Sequence, residues 1–341
     1  MTAAVLVLNC NGRSLLEECL SSVSASVGRR ANVYVIDNGS IDGSLEYVKK
    51  CFPSVRLITF SRNLGFAAAY NEAVRQVDED IVIFLNNDVE VAGNWFDPLV
   101  EPIESGSDQQ VAICGSKILL YYDRCRVNHA GGVLLPVGGG IDIDFLKPDK
   151  GEPTRPQFVG SACGASMAVK RGIFLDLGGF DEDFFAYFED VDFCWRAWLA
   201  GYKVMLVPAS ILYHKFGSTS GPYLNPKRVY VGERNRVQSL LKNLETRNVL
   251  VGIFVSGVYS IIRILRYLWF GEARPVFATV KANWWVLRNI RLILKKRHLV
   301  QSRRVIPDRF LFSHGLMASY YQGLREFARL TTARQKYLSR E

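Results

Sequence analysis

The chain has 341 residues, 49% of them hydrophobic, which is enough for a sizeable core and excludes intrinsic disorder as the default state. Its formal charge of +9 is unevenly distributed: residues 225–341 hold 23 Lys and Arg against 6 Asp and Glu, whereas residues 1–224 hold 19 against 27. The basic part is interleaved with apolar runs and tryptophans. This composition favours anionic lipid over nucleic acid as a partner.

The seven cysteines are scattered, odd in number and without a CxxC pair. This pattern argues against a disulfide framework or a structural zinc site and favours a reducing compartment. The first residues form a short strand pattern without the basic region and longer apolar core of a signal peptide. We therefore expect the N-terminus to stay in the cytoplasm.

The first ninety residues alternate short apolar strands with segments of helical period. Strands are predicted at 3–9, 32–37, 55–60 and 80–86, with helices near 13–26, 42–51 and 65–77. Such alternation is typical of an α/β fold with a mostly parallel central sheet that is covered on both faces.

Polar residues stand where these strands end. Asn9 and Asn11 follow the first strand, Asp37 ends the second, and residues 86–88 (Asn-Asn-Asp) end the fourth. Because ligands of open α/β sheets bind beyond the carboxyl ends of the strands, we expect these side chains to converge on one site.

The middle of the chain is less regular. We predict strand and turn over 111–135, a mobile, Gly-rich loop of the kind that forms lids over 138–156, strand or turn over 158–169, a short helix over 171–177, a helix near 189–200, and a strand over 203–207 that ends at Pro208.

Beyond residue 225 the pattern becomes helical. Arg263 and Arg266 interrupt the apolar run 249–262 before it reaches the roughly 18–20 residues that span a bilayer, which disfavours a clean transmembrane helix and leaves open whether residues 249–270 span, lie on or avoid a membrane. A later segment has the pattern of one interfacial helix, with Lys281, Arg288, Arg291 and Lys295 on one face and Val286, Leu287, Ile290, Ile293 and Leu294 on the other. The predicted organisation is a catalytic domain over 1–224 and a basic helical region over 225–341 for membrane docking or oligomerisation.

Three features carry chemistry. Asp88 follows a buried strand and suits a divalent cation that neutralises a nucleotide diphosphate, although a turn or helix cap is the commoner role of such an Asp. Residues 178–192 concentrate acids among aromatics, which fits a tuned general base as well as a helix N-terminus. His214 is a loop residue, a metal ligand or a base.

The order of the motifs is specific: VLNCNG, VIDNGSIDGS, SRNLGFAAAYNEAV, FLNNDVEV, GGFDEDFFAYFEDVDFCWRAWLAGYKV and YHKFGSTS. Over roughly residues 3–220 the chain closely resembles glycosyltransferase family 2, especially bacterial rhamnosyltransferases of surface polysaccharide synthesis. The resemblance implies a GT-A fold, a nucleoside-diphosphate sugar donor, an inverting displacement and a Mg²⁺ or Mn²⁺ ion.

Matched to the family's motifs, the chain offers residues for each role. The donor-binding residues are Asn9, Asn11, Asp37, Arg62, Asn63, Asn86 and Asn87; the metal ligands are Asp88 and His214; the catalytic base is Asp190, with Glu189 on the acceptor side. The family's DxD motif is Asn-x-Asp here, which is expected to weaken metal affinity. Asp181, Asp183 and Asp192 are assigned structural or acceptor-shaping roles.

The donor and the acceptor stay open. Among donors, the resemblance favours dTDP-rhamnose over UDP-hexose or UDP-galactofuranose, and the acceptor would be a hydroxyl of a glycan or a polyprenyl-linked glycan. We expect a peripheral protein on the inner face of the cell membrane that contacts an anionic membrane surface, binds no nucleic acid and can form a homo-oligomer.

Two alternatives belong to other classes of protein. One is a catalytically inactive scaffold of the same fold. The other is a dinucleotide-dependent oxidoreductase, which is disfavoured because the turn from Asn9 to Arg13 lacks a GxGxxG pyrophosphate loop.

Overall fold

The computed structural model describes residues 1–216, 225–323 and 325. The first half follows the predicted alternation, in the order β1 (Ala3–Asn9), α1 (Arg13–Val27), β2 (Ala31–Asn38), α2 (Ser44–Cys51), β3 (Arg56–Phe60), α3 (Phe66–Arg75), β4 (Ile81–Asn86), β5 (Val89–Val91), α4 (Phe96–Glu104) and β6 (Val111–Leu120). The predicted strands and helices of the first ninety residues are confirmed to within a few residues at their ends.

The second half of the chain adds strands to the sheet and then turns helical. It contains β7 (Val127–His129), β8 (Gly132–Leu134), β9 (Gly140–Asp142), β10 (Gln157–Phe158), β11 (Ser166–Lys170), α5 (Arg171–Asp176), α6 (Glu189–Leu199), β12 (Lys203–His214), α7 (Pro226–Asn243), α8 (Thr246–Trp269), α9 (Ala273–Arg288), α10 (Ile290–Ser302) and α11 (Asp308–Ser313). A 3₁₀ turn, Glu182–Phe184, precedes α6.

One mixed, ten-stranded sheet forms the centre of the molecule. Its main path runs β10-β12-β6-β11-β4-β1-β2-β3, and β5 and β7 pair with β12 and β6. The neighbours β4, β1, β2 and β3 are parallel to one another, whereas β11 is antiparallel to both β4 and β6. Apolar cores on both faces of the sheet bury residues such as Val5 and Leu6 of β1 completely, because alternate side chains of a strand point to opposite faces.

Two expectations for the middle of the chain are wrong in detail. The last strand continues past Pro208 to His214, because a register shift between Val207 and Ile211 places the proline in a bulge, where its missing N–H interrupts no ladder. The stretch 138–156 is not simply a loop: β9 pairs with β8, and the buried Lys117 side chain binds Asp149.

The helices after residue 225 pack on one another and on the sheet domain. The predicted single interfacial helix is two helices, since α9 ends at Arg288 and α10 begins at Ile290. The four basic residues therefore lie on different helices, with Lys281 and Arg288 on α9 and Arg291 and Lys295 on α10. All four are exposed, but they do not share one helix face.

In the described part of the chain, one helix, α8, is long and apolar enough to cross a membrane by length and composition. The sequence-based expectation that Arg263 and Arg266 interrupt it is incomplete. Arg263 turns inward to Glu233, so the outer face keeps exposed apolar residues such as Phe254 and Trp269 on either side of it.

All seven cysteines lie within the described residues, and each is a free thiol, as the sequence predicted.

Candidate active site

The carboxyl ends of β1, β2 and β4 bring several predicted donor-binding residues together. Asn9 stands opposite Asp37 in the parallel register, and Asn87 Nδ2 donates to Asn9 Oδ1 at 2.7 Å. A Cβ at Gly12 would meet Asn87 Nδ2 at 2.2 Å, so a side chain there would have to displace this pair. The predicted convergence of strand ends is confirmed.

Loops beside this edge carry the other predicted donor residues. Asn11 Oδ1 accepts from the Ile41 N–H at 2.8 Å, and Asn63 Nδ2 contacts Cys10 Sγ at 3.2 Å. Arg62 is exposed on the following turn, and its backbone passes close to the turn after β2. Asn11, Arg62 and Asn63 therefore lie around the strand ends.

Asp88 and His214 form a close pair. Strand β12 lies antiparallel to β5, which places His214 opposite Val89, and His214 Nε2 lies 3.2 Å from Asp88 Oδ1. On the other side of the ring, Nδ1 lies 2.8 Å from Asn128 Oδ1. In the tautomer whose Nδ1–H donates to the amide oxygen, the Nε2 lone pair is directed at Asp88, which is the arrangement of a histidine that binds a metal.

The pair fits part of a divalent-cation site. In residues 1–216, 225–323 and 325, no group of three or more His, Cys, Asp or Glu side chains is arranged to hold a metal ion. One carboxylate and one imidazole leave most positions of a six-coordinate ion to other ligands, such as phosphate oxygens and water. This is the usual arrangement when a cation binds together with a nucleotide.

Asp190 is held at the start of α6 by two backbone N–H groups. Gly164 N donates to Oδ2 and Val191 N donates to Oδ1, both at 2.8 Å. Burial raises the pKa of Asp190 above its usual value, and the two N–H groups offset part of that rise by stabilising the carboxylate. A carboxylate that is oriented and less acidic than usual has the properties of a general base.

Glu189 is the more buried acid of the two. Only 5% of the residue is exposed, and no described residue bonds to its Oε2. Burial, followed by the charge of neighbouring Asp190, raises the pKa of Glu189 well above its usual range. Burial therefore makes both acids ionise less readily than exposed carboxyl groups do.

A cavity of about 480 Å³ joins these groups. Asn86, Asp88, His214, Glu189 and Asp190 all line it, whereas the other predicted donor residues lie outside it, at the strand ends and in the loops beside them. The strand ends and the start of α6 therefore supply Asp88, Glu189 and Asp190, and the C-terminal helices α7 and α8 supply a further part of the lining.

His129 and Asp142 also line the cavity, and the sequence did not single them out. His129 is buried and its Nδ1 lies 2.9 Å from Asp142 Oδ1. The two members of this pair act in opposite directions on the pKa of Asp190, and burial has the largest effect on it. The pairing joins β7 to β9 and was hidden because residues 138–156 were expected to be a loop. The available signal was the polar pair Asn128-His129, which follows Val127 in the short strand β7.

Asn235 is a second residue that sequence reasoning missed. It lies on α7, is fully buried, and its amide donates to the carbonyls of Phe184, Ala186 and Tyr187 at 2.8–2.9 Å. These carbonyls belong to the turn before Glu189, in which Phe185, Tyr187 and Phe188 have positive φ. Because that backbone conformation is unfavourable for residues other than glycine, the helix must hold the turn in place.

The fold resembles solved structures of sugar transferases. GalNAc-T7 with UDP, GalNAc and Mn²⁺ matches 71% of this chain with a TM-score of 0.56 at 22% identity, and the match spans about half (48%) of that protein. A mannosyltransferase from Pyrobaculum calidifontis with GDP-Man and Mn²⁺ matches 88% of this chain, and 83% of its own, at a TM-score of 0.51 and 16% identity. The sheet and its helices form the GT-A fold of glycosyltransferases, as predicted.

Sequence comparison defines the family. The family model for glycosyl transferase family 2 matches residues 4–169, and that for glycosyl transferase family group 2 matches residues 153–314. An N-acetylglucosaminyl-diphospho-decaprenol L-rhamnosyltransferase of Mycobacterium tuberculosis is 31% identical over 229 residues, which are 60% of this chain and 73% of the relative. Rhamnosyltransferase WbbL of Escherichia coli is 30% identical over 163 residues, which cover 46% of this chain and 60% of that protein. The chain belongs to glycosyl transferase family 2 and is similar to bacterial rhamnosyltransferases.

Proposed function

We propose that this glycosyltransferase is inverting and depends on a divalent cation, and that it transfers a sugar to a hydroxyl of a glycan or a polyprenyl-linked glycan. The observation that carries the proposal is one cavity in which buried Asp190 shares the space with the Asp88–His214 pair. The carboxyl ends of β1, β2 and β4, where we expect the nucleotide to bind, lie beside that cavity. A donor bound there would present its sugar to Asp190.

On the donor side, the proposed contacts follow from the sheet edge. Asp37 would bind the base, Asn9, Asn11, Asn86 and Asn87 would flank the ribose and diphosphate, and Arg62 with Asn63 would close the nucleotide site. Asp88 and His214 would hold Mg²⁺ or Mn²⁺. When bound, such an ion neutralises the charge that develops on a departing diphosphate.

On the acceptor side, Asp190 removes the proton from the attacking hydroxyl as its oxygen forms a bond to the anomeric carbon. Attack from the face opposite the diphosphate inverts the anomeric configuration, and the proton ends on Oδ1 or Oδ2 of Asp190. Burial supports this role because an elevated pKa makes the carboxylate a stronger base. Glu189 would lie on the acceptor side.

For the sugar we propose L-rhamnose carried on dTDP. The support is the similarity to two proteins that are named as rhamnosyltransferases, one of them acting on a diphospho-decaprenol-linked sugar. UDP-hexoses and UDP-galactofuranose are the alternatives.

We also propose that the helices after residue 225 dock the enzyme on the cytoplasmic face of a membrane. The support is the outer surface of α8 and α9, where Phe254, Trp269, Phe277 and Trp284 are each at least 65% exposed. Exposed apolar residues beside many Lys and Arg side chains are typical of proteins that lie in a membrane interface.

Incubation of the purified chain with a panel of nucleoside-diphosphate sugars, with Mn²⁺, with Mg²⁺ and with EDTA, tests the proposal. We expect metal-dependent release of nucleoside diphosphate, and we expect it to be faster from dTDP-rhamnose than from UDP-hexoses or UDP-galactofuranose. Preference for a UDP-sugar would contradict the proposed donor and leave the proposed mechanism unchanged. Absence of metal-dependent cleavage across the panel, with added glycan and lipid-linked acceptors, would favour an inactive scaffold.

A further inference from the structure

The helical side of the cavity carries a concentration of cations. The cationic wall, as we name it, consists of Arg228, Gly232, Glu233, Arg236, Arg263 and Tyr267, all of which line the cavity. On α7, Arg228, Gly232 and Arg236 are spaced four residues apart and therefore share one helix face. Arg263 and Tyr267 have the same spacing on α8. The two helices thus present one continuous surface to the interior.

The charges of the wall are only partly balanced within it. Arg236 Nη2 and Arg263 Nη1 each lie 2.7 Å from the Glu233 carboxylate, while Arg228 lies over the Tyr187 ring at 5.2 Å. Three guanidinium groups against one carboxylate leave a net positive wall. The other acids that line the cavity, Asp88, Asp142, Glu189 and Asp190, lie on other elements. The lining therefore has a net positive part on α7 and α8 and an acidic part on the other elements.

Gly232 leaves space for a ligand beside the arginines of the cationic wall. It stands in the middle of an 18-residue helix, where glycine is disfavoured relative to alanine. A Cβ at this position would meet only Phe188 Cε2, at 3.9 Å, so neither packing nor backbone conformation requires glycine. The missing side chain leaves space between Arg228 and Arg236.

Helix α8 has two chemically different faces beside this space. The Arg263 side chain is only 17% exposed and faces the cavity, whereas Ile262 and Leu265, next to it in the chain, are 55% and 60% exposed. A ligand with an anionic ester joined to a hydrocarbon chain would match both faces, with its charge at the arginines and its chain along the apolar surface.

We propose that Arg228 and Arg263 bind a phosphate or diphosphate ester that joins the acceptor sugar to a hydrocarbon lipid. The inference rests on the proposed function and deepens it, because it assigns the cationic wall to the acceptor. Guanidinium groups bind phosphate oxygens through paired, charge-assisted hydrogen bonds, so the wall would position the sugar that Asp190 deprotonates.

Binding of farnesyl diphosphate to the full chain, measured by isothermal titration calorimetry, tests the proposal. Farnesol has the same hydrocarbon chain without the charge, and inorganic pyrophosphate has the charge without the chain. We expect farnesyl diphosphate to bind at least about tenfold more tightly than either, as expected for one charge-assisted contact. Arg228→Gln and Arg263→Gln should each weaken it about tenfold, and Gly232→Leu should block it by filling the space.

Arg247→Gln is the matched control, because Arg247 lies on α8 with a 69% exposed side chain and does not line the cavity. It should bind farnesyl diphosphate like the wild type. Thermal unfolding of each variant identifies one that fails to fold, and either arginine variant alone suffices for the test.

Three results would overturn the proposal: equal binding by Arg228→Gln and wild type, pyrophosphate binding as tight as that of farnesyl diphosphate, or competitive displacement by UDP or dTDP with Mn²⁺. The last would assign the wall to the donor. Donor cleavage by the same wild-type preparation needs no lipid, so it tests the proposed function separately.

Discussion

Glu189 and Asp190 are adjacent acids in a water-poor environment, and they differ in how their charges are compensated. Two backbone N–H groups stabilise the Asp190 carboxylate, whereas Oε2 of Glu189 has no partner among the described residues. A buried carboxyl with an oxygen that accepts no hydrogen bond is easier to keep neutral than charged. Glu189 therefore destabilises the fold whenever it ionises.

Replacing Glu189 with Gln should raise the thermal unfolding midpoint at neutral pH. The pKa of Glu189 is higher in the folded than in the unfolded chain, so its contribution to stability is complete below the usual Glu value and is lost as pH rises through the folded value. The increase in unfolding midpoint caused by Glu189→Gln should therefore grow as pH rises from the usual Glu pKa through the folded value. Calorimetry from pH 4 upward, with exposed Glu101→Gln as the control, measures it; a constant difference at every pH would contradict this explanation.

Asp88 and His214, the proposed metal ligands, should differ in how much each contributes to donor binding. Asp88→Ala should weaken metal-dependent donor binding strongly, because a charged oxygen ligand is lost, and His214→Ala should do so less, because water can replace one ligand. Nucleotide titration with and without Mn²⁺ distinguishes the two. Wild-type metal dependence in both variants would remove Asp88 and His214 from the metal site.

At the scale of elements, α7 positions the start of α6, which carries Glu189 and Asp190. Asn235 holds the turn before Glu189, and Lys242 reaches Asp192 of α6 at 3.1 Å. The strained turn and the buried acids of α6 thus depend on a helix that begins more than thirty residues later. Placement of the proposed base follows from this tertiary contact as well as from local sequence.

Asn235→Ala should therefore lower both stability and kcat. It leaves three carbonyls without their side-chain donor, and each buried polar group that loses its partner costs about 1–3 kcal/mol. Asn225→Ala is the control, since Asn225 caps the same helix through Lys227 N and its loss costs about 1 kcal/mol without touching the turn. Asn235 has no positioning role if Asn235→Ala keeps wild-type kcat under conditions in which it is as stable as Asn225→Ala.

Local sequence patterns predicted the parts of the fold that depend on near neighbours. Strand period and turn residues were sufficient for β1 to β4 and for the convergence of Asn9, Asp37 and Asn87. They were insufficient for the bulge at Pro208 and the break at Asn289, where tertiary packing decides the backbone path. Long-range pairs such as His129–Asp142 and Asn235 with the turn before α6 leave no periodic signal in the sequence.

At the scale of the whole molecule, the C-terminal helices combine an apolar exterior with a cationic cavity wall. The resulting surface joins the proposed acceptor site to the proposed membrane. Exposed Arg288 and Arg291 lie near the junction of α9 and α10, on either side of Asn289. Each basic residue near an anionic leaflet contributes about 1 kcal/mol, so a few positions can hold the protein there.

Liposome co-sedimentation tests this arrangement. Replacing Arg288 and Arg291 with Gln should weaken binding to phosphatidylglycerol vesicles at low salt. Lys49 and Lys50, exposed on α2, make the matched control, because their replacement with Gln changes the net charge equally on the catalytic side. If wild-type protein ignores anionic vesicles at low salt, the membrane interpretation is wrong and the surface is better explained as an oligomer contact.

The most direct test of the account is transfer by Asp190→Asn, measured beside donor binding. The variant keeps the size of the side chain and removes the base, so transfer should fall by about 10²–10⁴-fold while nucleotide affinity stays close to wild type. In the wild type, kcat/KM should lose activity on acidification at a higher pH than an ordinary Asp would give, because burial raises the pKa of Asp190. Transfer by Asp190→Asn within a few-fold of wild type would contradict the proposed mechanism.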